Sequence, residues 1–599
     1  MQSLKSQLQE TKAVFIHLSD FFKENKHRYI IGVCILLVAD IFQLVMPKIL
    51  GIITDLIEQN AITQKDFLFY IGIIMGSALI IALARFGWRI YIFGTARTLE
   101  FWLRNKYFNH LESLSQNYFN SKKTGDLMAH ATNDIQSVRA AFAGGVVMAT
   151  DALFMTAMTL TMMLISIDVK LTLMALLPLP IIAVLIRIFG RQVQKRFRVV
   201  QECFSKLTDK VQESYSGIRV IKSFAQEENN IKDFQEINQL NYDKNMHLTK
   251  LFGLMHPMIT LVSALSLMIA LALGGNMVID GSLSLGQFVT FITYLGLLTW
   301  PMIAMGGVIN IIQRGIASMK RLNEIFDTQS DITDQLADAS IHKLRGKIEF
   351  SEVSFKYPNT DIYALQDVSF KVNVGSTLAI LGPTGSGKTT LASLLLRRFD
   401  LDEGHILIDN MPLTQIPLGL LRDSIGYVPQ NTFLFSTSIQ DNIAFSDDHL
   451  APEKIQQYAQ IAQIHDEIID FPEGYQTLLG EKGVNLSGGQ KQRISIARAL
   501  IKEPKILILD DALSAVDTKT EASILNHLKV ELQKSTSLII SHRISTIKEA
   551  DWILVLDDGR VIQQGVHESL LAQEGLYRSI YEKQKLEDKL AKEDDTDVQ

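Results

Sequence analysis

Six long apolar stretches, at roughly 29–53, 67–92, 141–165, 171–190, 252–278 and 287–313, dominate the first half of the chain. Each is about the 20 residues that a helix needs to cross the hydrocarbon layer of a bilayer. A short polar break near Asp168 and Lys170 separates the third from the fourth and predicts a tight turn at one membrane surface. Two intervening segments, roughly 93–140 and 191–250, are long and polar. They carry helical patterning without enough apolar residues to enter lipid, so they read as extensions of the spanning helices beyond the membrane. Gly and Ser interrupt them at NYFNSKKTGDL (117–127) and SYSGIRVIKSF (214–224). Those are turn signals for the ends of helical hairpins, although plain loops fit the same pattern. From about residue 345 the pattern changes, and short β-rich runs alternate with helical ones, as in an α/β domain. The expected organisation is a six-helix membrane bundle over 1–325, a polar linker over 326–344, an α/β domain over 345–582 and a charged tail over 583–599.

Charge orients the bundle. The first long polar segment holds Arg97, Arg104, Lys106, Lys122, Lys123 and Arg139, and the second opens with Arg191, Lys195, Arg196 and Arg198. The opposite connections hold Lys65, Lys170 and, between Asn276 and Gln287, no base at all. The positive-inside rule then places both termini and both long segments in the cytoplasm. Lys5, Lys12, Asp20 and Lys23 precede the first apolar run, so a cleavable signal peptide is not expected.

Composition agrees with two unlike halves. Hydrophobic residues make up 47% and charged residues 20% of 599, with a mean hydropathy of +0.15. The net charge of -6 gives no reason to expect nucleic acid as a partner. Only Cys34 and Cys203 are present, which excludes a disulfide framework, and neither has the neighbours of a metal site.

Asp40 and Asp151 lie inside apolar stretches. An acid at mid-bilayer costs roughly 2.5–3.5 kcal/mol on insertion scales, so each should face protein or a water-filled cavity. Contact with a polar or cationic substrate is one reading. An interhelical hydrogen bond, to Arg85 or a Ser/Thr, is the one preferred here. Met148, Met155, Met158, Met162, Met163, Met302 and Met305 suit either an adaptable cavity or ordinary packing. Pro47, Pro178, Pro180, Pro257 and Pro301 predict kinks or helix ends.

The second half carries the chemistry. STLAILGPTGSGKTTLASLLLRR (376–398) reads as strand, glycine loop and helix. Gly382, Pro383, Thr384, Gly385, Ser386, Gly387, Lys388 and Thr389 fit G-x-x-x-x-G-K-[ST], followed by Thr390. Glycines let backbone N–H groups close around phosphate oxygens at a helix N-terminus. Lys388 then neutralises phosphate charge, and the Thr389 hydroxyl binds Mg²⁺. ATP with Mg²⁺ is the expected cofactor pair. In such a fold a second apolar strand ends in an acid that holds the Mg²⁺ shell, and ILILDD (506–511) supplies the strand with Asp510 at its tip. Asp511 then faces the γ-phosphate and its attacking water. Ser487, Gly488, Gly489 and Gln490, within LSGGQ, open another helix and form a second anion-binding tip.

LSGGQ together with a P-loop resembles the nucleotide-binding domain of an ABC transporter, and six crossings ahead of it resemble the type IV exporter arrangement. The resemblance covers nearly the whole chain. It implies that two such domains dimerise head to tail, each LSGGQ covering the ATP on the other's P-loop. It also implies Tyr357 (in FKYPN) as the aromatic stacking on adenine. Gln430 (in YVPQN) would sense Mg²⁺ and link to the membrane part, and Glu481 (in LLGEKG) would lie near the intracellular helices. Residues 514–517 would form the loop crossing the dimer, and His542 (in SHR) would lie near the γ-phosphate. The segments near 117–127 and 214–224 would be coupling helices.

One residue departs from the family pattern, which has Glu where this chain has Asp511. A carboxylate one methylene shorter sits too far back to align the water, and losing a positioned base costs ~10²–10⁴ in rate. The departure resembles one subunit of a heterodimeric exporter with one weak and one active ATP site. The expected partner is a second ABC half-transporter with Glu after its Walker B Asp. The expected cargo is an amphipathic small molecule or drug crossing the cell membrane. Alternatives are a homodimeric lipid flippase or peptide exporter, and an ATP-gated channel or regulatory subunit. The acidic tail receives no function and should begin helical and end disordered.

Overall fold

The computed structural model describes residues 14–596, save Asn359, Asp448, Glu481, Lys482, Val484 and Asp517. Lys5 and Lys12, two of the charges that precede the first apolar run, lie outside these residues, as does the end of the tail. The chain divides into two compact units. One comprises the residues up to Glu112 with Thr124–Thr328; the other comprises Ser113–Lys123 with the residues from Gln329 onward.

The first unit is helical. Among the described residues, five helical runs are long and apolar enough to cross a membrane: Ile16–Glu58, Gln64–Ser113, Thr124–Ser166, Glu227–Ile279 and Leu285–Phe326. The fourth expected stretch is helical but broken, Val169–Leu176 followed by Leu179–Ser216, and its apolar part, Val169–Ile182, is shorter than the five spanning runs. Pro178 and Pro180 explain the break, because proline lacks the N–H that a continuous helix requires. The Asp168 side chain accepts from Leu171 N–H (2.7 Å) and caps the new helix after the tight turn. Glu227–Ile279 has 53 residues, about 80 Å at the α-helical rise, far more than a ~30 Å hydrocarbon layer. The polar segments are therefore helical extensions, as their patterning predicts.

Two intramembrane expectations come out differently. Arg85 donates to Gln43 (3.5 Å), not to either acid. Asp40 Oδ2 and Asp151 Oδ1 are buried without a hydrogen-bond partner. The expected interhelical hydrogen bond therefore does not account for these oxygens. Met155 and Met163 are buried beside Leu44, Phe291 and Tyr294, so packing accounts for them.

The second unit is α/β. Its strands are β1 (Ile348–Lys356), β2 (Tyr363–Val372), β3 (Thr377–Leu381), β4 (Glu403–Ile408), β5 (Met411–Pro412), β6 (Ile425–Val428), β7 (Ile506–Asp510), β8 (Thr536–Ile540), β9 (Trp552–Asp557) and β10 (Arg560–Gly565). A four-stranded sheet has the order β2-β1-β4-β5, and a six-stranded sheet the order β10-β9-β3-β8-β7-β6. Strands β3, β8, β7 and β6 run parallel. Both faces of β7 are buried, which is why it is a continuous apolar run instead of an alternating one. Parallel strands deliver their following loops to one edge. That edge therefore gathers Gly382 after β3, Ser541–Arg543 after β8, Asp510 and Asp511 at the tip of β7, and Gln430 after β6. The C-terminal helix, Leu576–Thr596, runs further than the sequence predicts.

Candidate nucleotide site

Backbone conformation explains the glycines of the 382–389 loop. Gly385 (φ +86°) and Gly387 (φ +96°) are left-handed, where a side chain is strained. A Cβ on Gly387 would also lie 2.5 Å from Ala364 O, and one on Gly382 would collide with Leu556 O. The helix Lys388–Leu395 follows directly, so its free N–H groups point into the loop. Lys388 Nζ donates to Gly382 O (2.9 Å) and Pro383 O (2.7 Å). Burial pushes the Lys388 pKa down, while the charges of Asp510 and Asp511 oppose the shift. Ser386 Oγ is buried without a partner.

At the tip of β7, Asp510 is only 1% exposed. Its Oδ1 accepts from the Thr389 hydroxyl (3.2 Å) and its Oδ2 from the Tyr427 hydroxyl (3.4 Å). Burial raises the Asp510 pKa, and these two hydrogen bonds hold it back. A carboxylate beside a hydroxyl oxygen is a hard donor set suited to Mg²⁺ completed by water and phosphate. Among the described residues, no cluster of three or more His, Cys, Asp and Glu makes a metal site without such help.

Asp511 takes φ +50°, a conformation that Asp tolerates better than most residues. Its N–H donates to Ile540 O (2.8 Å), pinning the backbone. Its Oδ2 accepts from Gln430 Nε2 at 3.5 Å. His542 stands within electrostatic range of Lys388, Asp510 and Asp511. Burial and then the Lys388 charge push its pKa below the ordinary 6.5, although both acids oppose them. The Tyr357 hydroxyl lies 3.0 Å from Thr390 Oγ1, and its ring meets Phe355 and Phe399 edge-on.

Ser487–Gln490 open a further helix. Ser487 caps the helix Gly488–Leu500, accepting from Gln490 N–H (3.2 Å) while Gln490 Oε1 accepts from Ser487 N–H (2.8 Å). Gln490 Nε2 also donates to Glu467 (2.9 Å). A Cβ on Gly488 or Gly489 would press on Ala515, 3.3 and 3.1 Å away. Sequence reasoning missed Tyr427 and Gln492. Gln492 donates to Ser514 Oγ (3.1 Å) and accepts from Ala515 N–H (3.0 Å), tying this helix to the loop after Asp511. Tyr427 stands in the YVPQN motif quoted for Gln430, but its own role, like that of Gln492, depends on a partner distant in sequence.

The first expected coupling segment contributes a short helix, Gln116–Ser121, to the second unit. Asn117 donates to Asp331 (2.9 Å), and Phe119, Arg398, Tyr427, Phe445 and Arg498 border a cleft of about 590 Å³. The second expected segment contains the helix Ile218–Ser223, with Val220 and the adjoining Phe224 exposed. Glu481 lies outside the described residues.

Comparison with known proteins agrees with this architecture. Residues 29–302 match the ABC transporter transmembrane region and residues 365–514 match the ABC transporter family model. The chain is 42% identical over 575 residues to a probable multidrug resistance ABC transporter ATP-binding/permease protein, YheI, of Bacillus subtilis. That match covers 96% of this chain and 98% of the relative. The chain belongs to the ABC transporter family. A second relative of this ABC transporter, the multidrug resistance-like ATP-binding protein MdlA of Escherichia coli, is 39% identical, covering 96% of the chain and 97% of the relative. A solved bacterial Atm1-family ABC exporter with ATP bound superposes with a TM-score of 0.79 at 27% identity, covering 93% of this chain and 99% of that one. The ABC transporter described here is a multi-pass membrane protein with a fused ATP-binding domain, and its activity is ATPase-coupled transport.

Proposed function

We propose that this chain is one half of a heterodimeric exporter that moves drugs or other amphipathic compounds out across the cell membrane. The relatives named for multidrug resistance support the cargo class. The observation that carries the heterodimer is Asp511. Its backbone is pinned to Ile540, so the short side chain has no freedom to extend the reach of its carboxylate. This chain's ATP site is then the weak one, closed by the partner's signature loop. The intact Ser487–Gln490 turn completes the active site, whose P-loop and Glu come from the partner.

In this reading Tyr357 packs against adenine, and the 382–390 loop with Lys388 binds phosphate oxygens. Thr389, Asp510 and Gln430 would hold Mg²⁺, which would supply charge neutralisation at the phosphates. Asp511, Gln430 and His542 surround the γ-phosphate position. The segments near 117–127 and 214–224 carry the closing motion to the bundle, and the ATP-binding domain and both termini face the cytoplasm. The ligand shifts the equilibrium only through different affinities for the two states of the bundle.

The test is ATP-dependent accumulation of a lipophilic dye in sealed inside-out vesicles carrying this chain and a half-transporter with Glu after its Walker B Asp. Uphill accumulation that needs both chains is expected. A downhill, ATP-gated leak would replace the pump with a channel.

A further inference from the structure

Gln584 lies on the C-terminal helix, outside every motif discussed above. Its side chain nevertheless reaches the segment that carries His542. Gln584 Nε2 donates to His542 O (2.6 Å), and Gln584 Oε1 accepts from Ile544 N–H (2.9 Å). These two backbone groups flank Arg543. One amide therefore supplies the donor and acceptor that a neighbouring strand would offer with its own backbone.

The segment needs such support. β8 ends at Ile540, and residues 541–543 belong to no strand or helix. On the other side, the Arg543 guanidinium donates to Glu521, whose carboxylate is buried. It also donates to Ser514 O (3.4 Å) and Val516 O (3.5 Å), in the loop after Asp511. The Arg543 N–H donates to Ser541 Oγ (3.0 Å). A backbone hydrogen bond from Ser541 N–H to Ile380 O of β3 (3.3 Å) holds the start of the segment, and beyond it the hydrogen bonds to His542 O and Ile544 N–H come from the Gln584 side chain.

We propose that Gln584 is a positioning residue for His542, so that the C-terminal helix sets the geometry of the ATP site. The proposal rests on the reading of His542 as the group beside the γ-phosphate. A misplacement of 1 Å can cost ~10²-fold where geometry matters, and loss of two backbone anchors should cost about tenfold at least. Displacing this helix would loosen His542 without touching the nucleotide.

The test uses the full chain in its active dimer, with ATP and ADP competing for photolabelling of this chain by an azido-ATP probe. Gln584→Ala should lower the preference for ATP over ADP by about tenfold, with ADP affinity kept. Gln584→Glu retains the acceptor for Ile544 N–H and loses the donor to His542 O, and should behave alike. The double variant Gln584→Ala/His542→Ala should be no worse than His542→Ala, because both act through one group. An unchanged preference in Gln584→Ala, equal losses for ATP and ADP, or additive losses in the double variant would each overturn the proposal. If His542→Ala itself leaves the preference unchanged, the γ-phosphate reading fails first and takes this proposal with it.

Discussion

The Thr389 hydroxyl donates to Asp510 Oδ1 across 3.2 Å, joining two residues 121 positions apart in sequence. The contact brings the end of the glycine loop to the tip of β7 and leaves one carboxylate buried between two hydroxyl donors. Burial disfavours the charged form of this acid and raises its pKa, while the two hydroxyl donors hold the rise back.

Asp510→Asn should therefore separate stability from function. It removes a charge that the nucleotide-free fold holds at a cost. Its melting temperature should rise by about 2–4 °C, the shift that about 1 kcal/mol gives in a domain of this size. Mg²⁺-dependent ATP turnover by an otherwise active dimer containing this site should fall at this site by ~10² or more. Calorimetry of the nucleotide-free protein and single-site turnover check the two halves. A lower melting temperature would mean that the hydrogen bonds outweigh the desolvation.

Acidification should act through His542. Its folded pKa lies below the ordinary 6.5, so between the two values the unfolded chain binds more protons than the folded one. Stability contributed by the neutral form is then present above about 6.5 and is lost as pH falls towards the lowered folded value. The melting temperature should drop more between pH 7.5 and 5.5 for the unaltered chain than for His542→Gln. Parallel curves would show that this histidine does not titrate differently on folding.

The Ser487 cap makes a separable prediction. Ser487→Phe removes the reciprocal cap with Gln490 and fills the turn that would close the partner's site. Turnover in the heterodimer should fall at least about tenfold, while ATP binding to this chain's own P-loop persists. Ser487→Ala costs only the cap, about 1 kcal/mol of stability, and should keep more turnover. Full turnover in Ser487→Phe would place the signature turn outside the active site.

The sequence disclosed whatever depends on local pattern. Span length exposed the bundle, and the glycine spacing with flanking strand and helix exposed the phosphate loop. The apolar run ending at Asp510 marked the strand whose tip carries the acid. What stayed hidden depends on contacts between distant segments. The break at Pro178 was legible only as one of several possible kinks. Tyr427, Gln492 and Gln584 act through hydrogen bonds to residues 83, 22 and 42 positions away. The expected interhelical hydrogen bond leaves Asp40 Oδ2 and Asp151 Oδ1 buried and unpartnered. The left-handed backbone at Asp511 has no sequence signature, although the choice of Asp suits it.

The most direct measurement is steady-state ATP turnover and uphill cargo accumulation by this chain alone, purified and reconstituted in lipid, beside its Asp511→Glu variant. The account predicts slow turnover for the unaltered chain and a rise of about tenfold or more in Asp511→Glu. Brisk turnover with uphill transport by the unaltered chain in the absence of any second polypeptide, matched by Asp511→Glu, would contradict it.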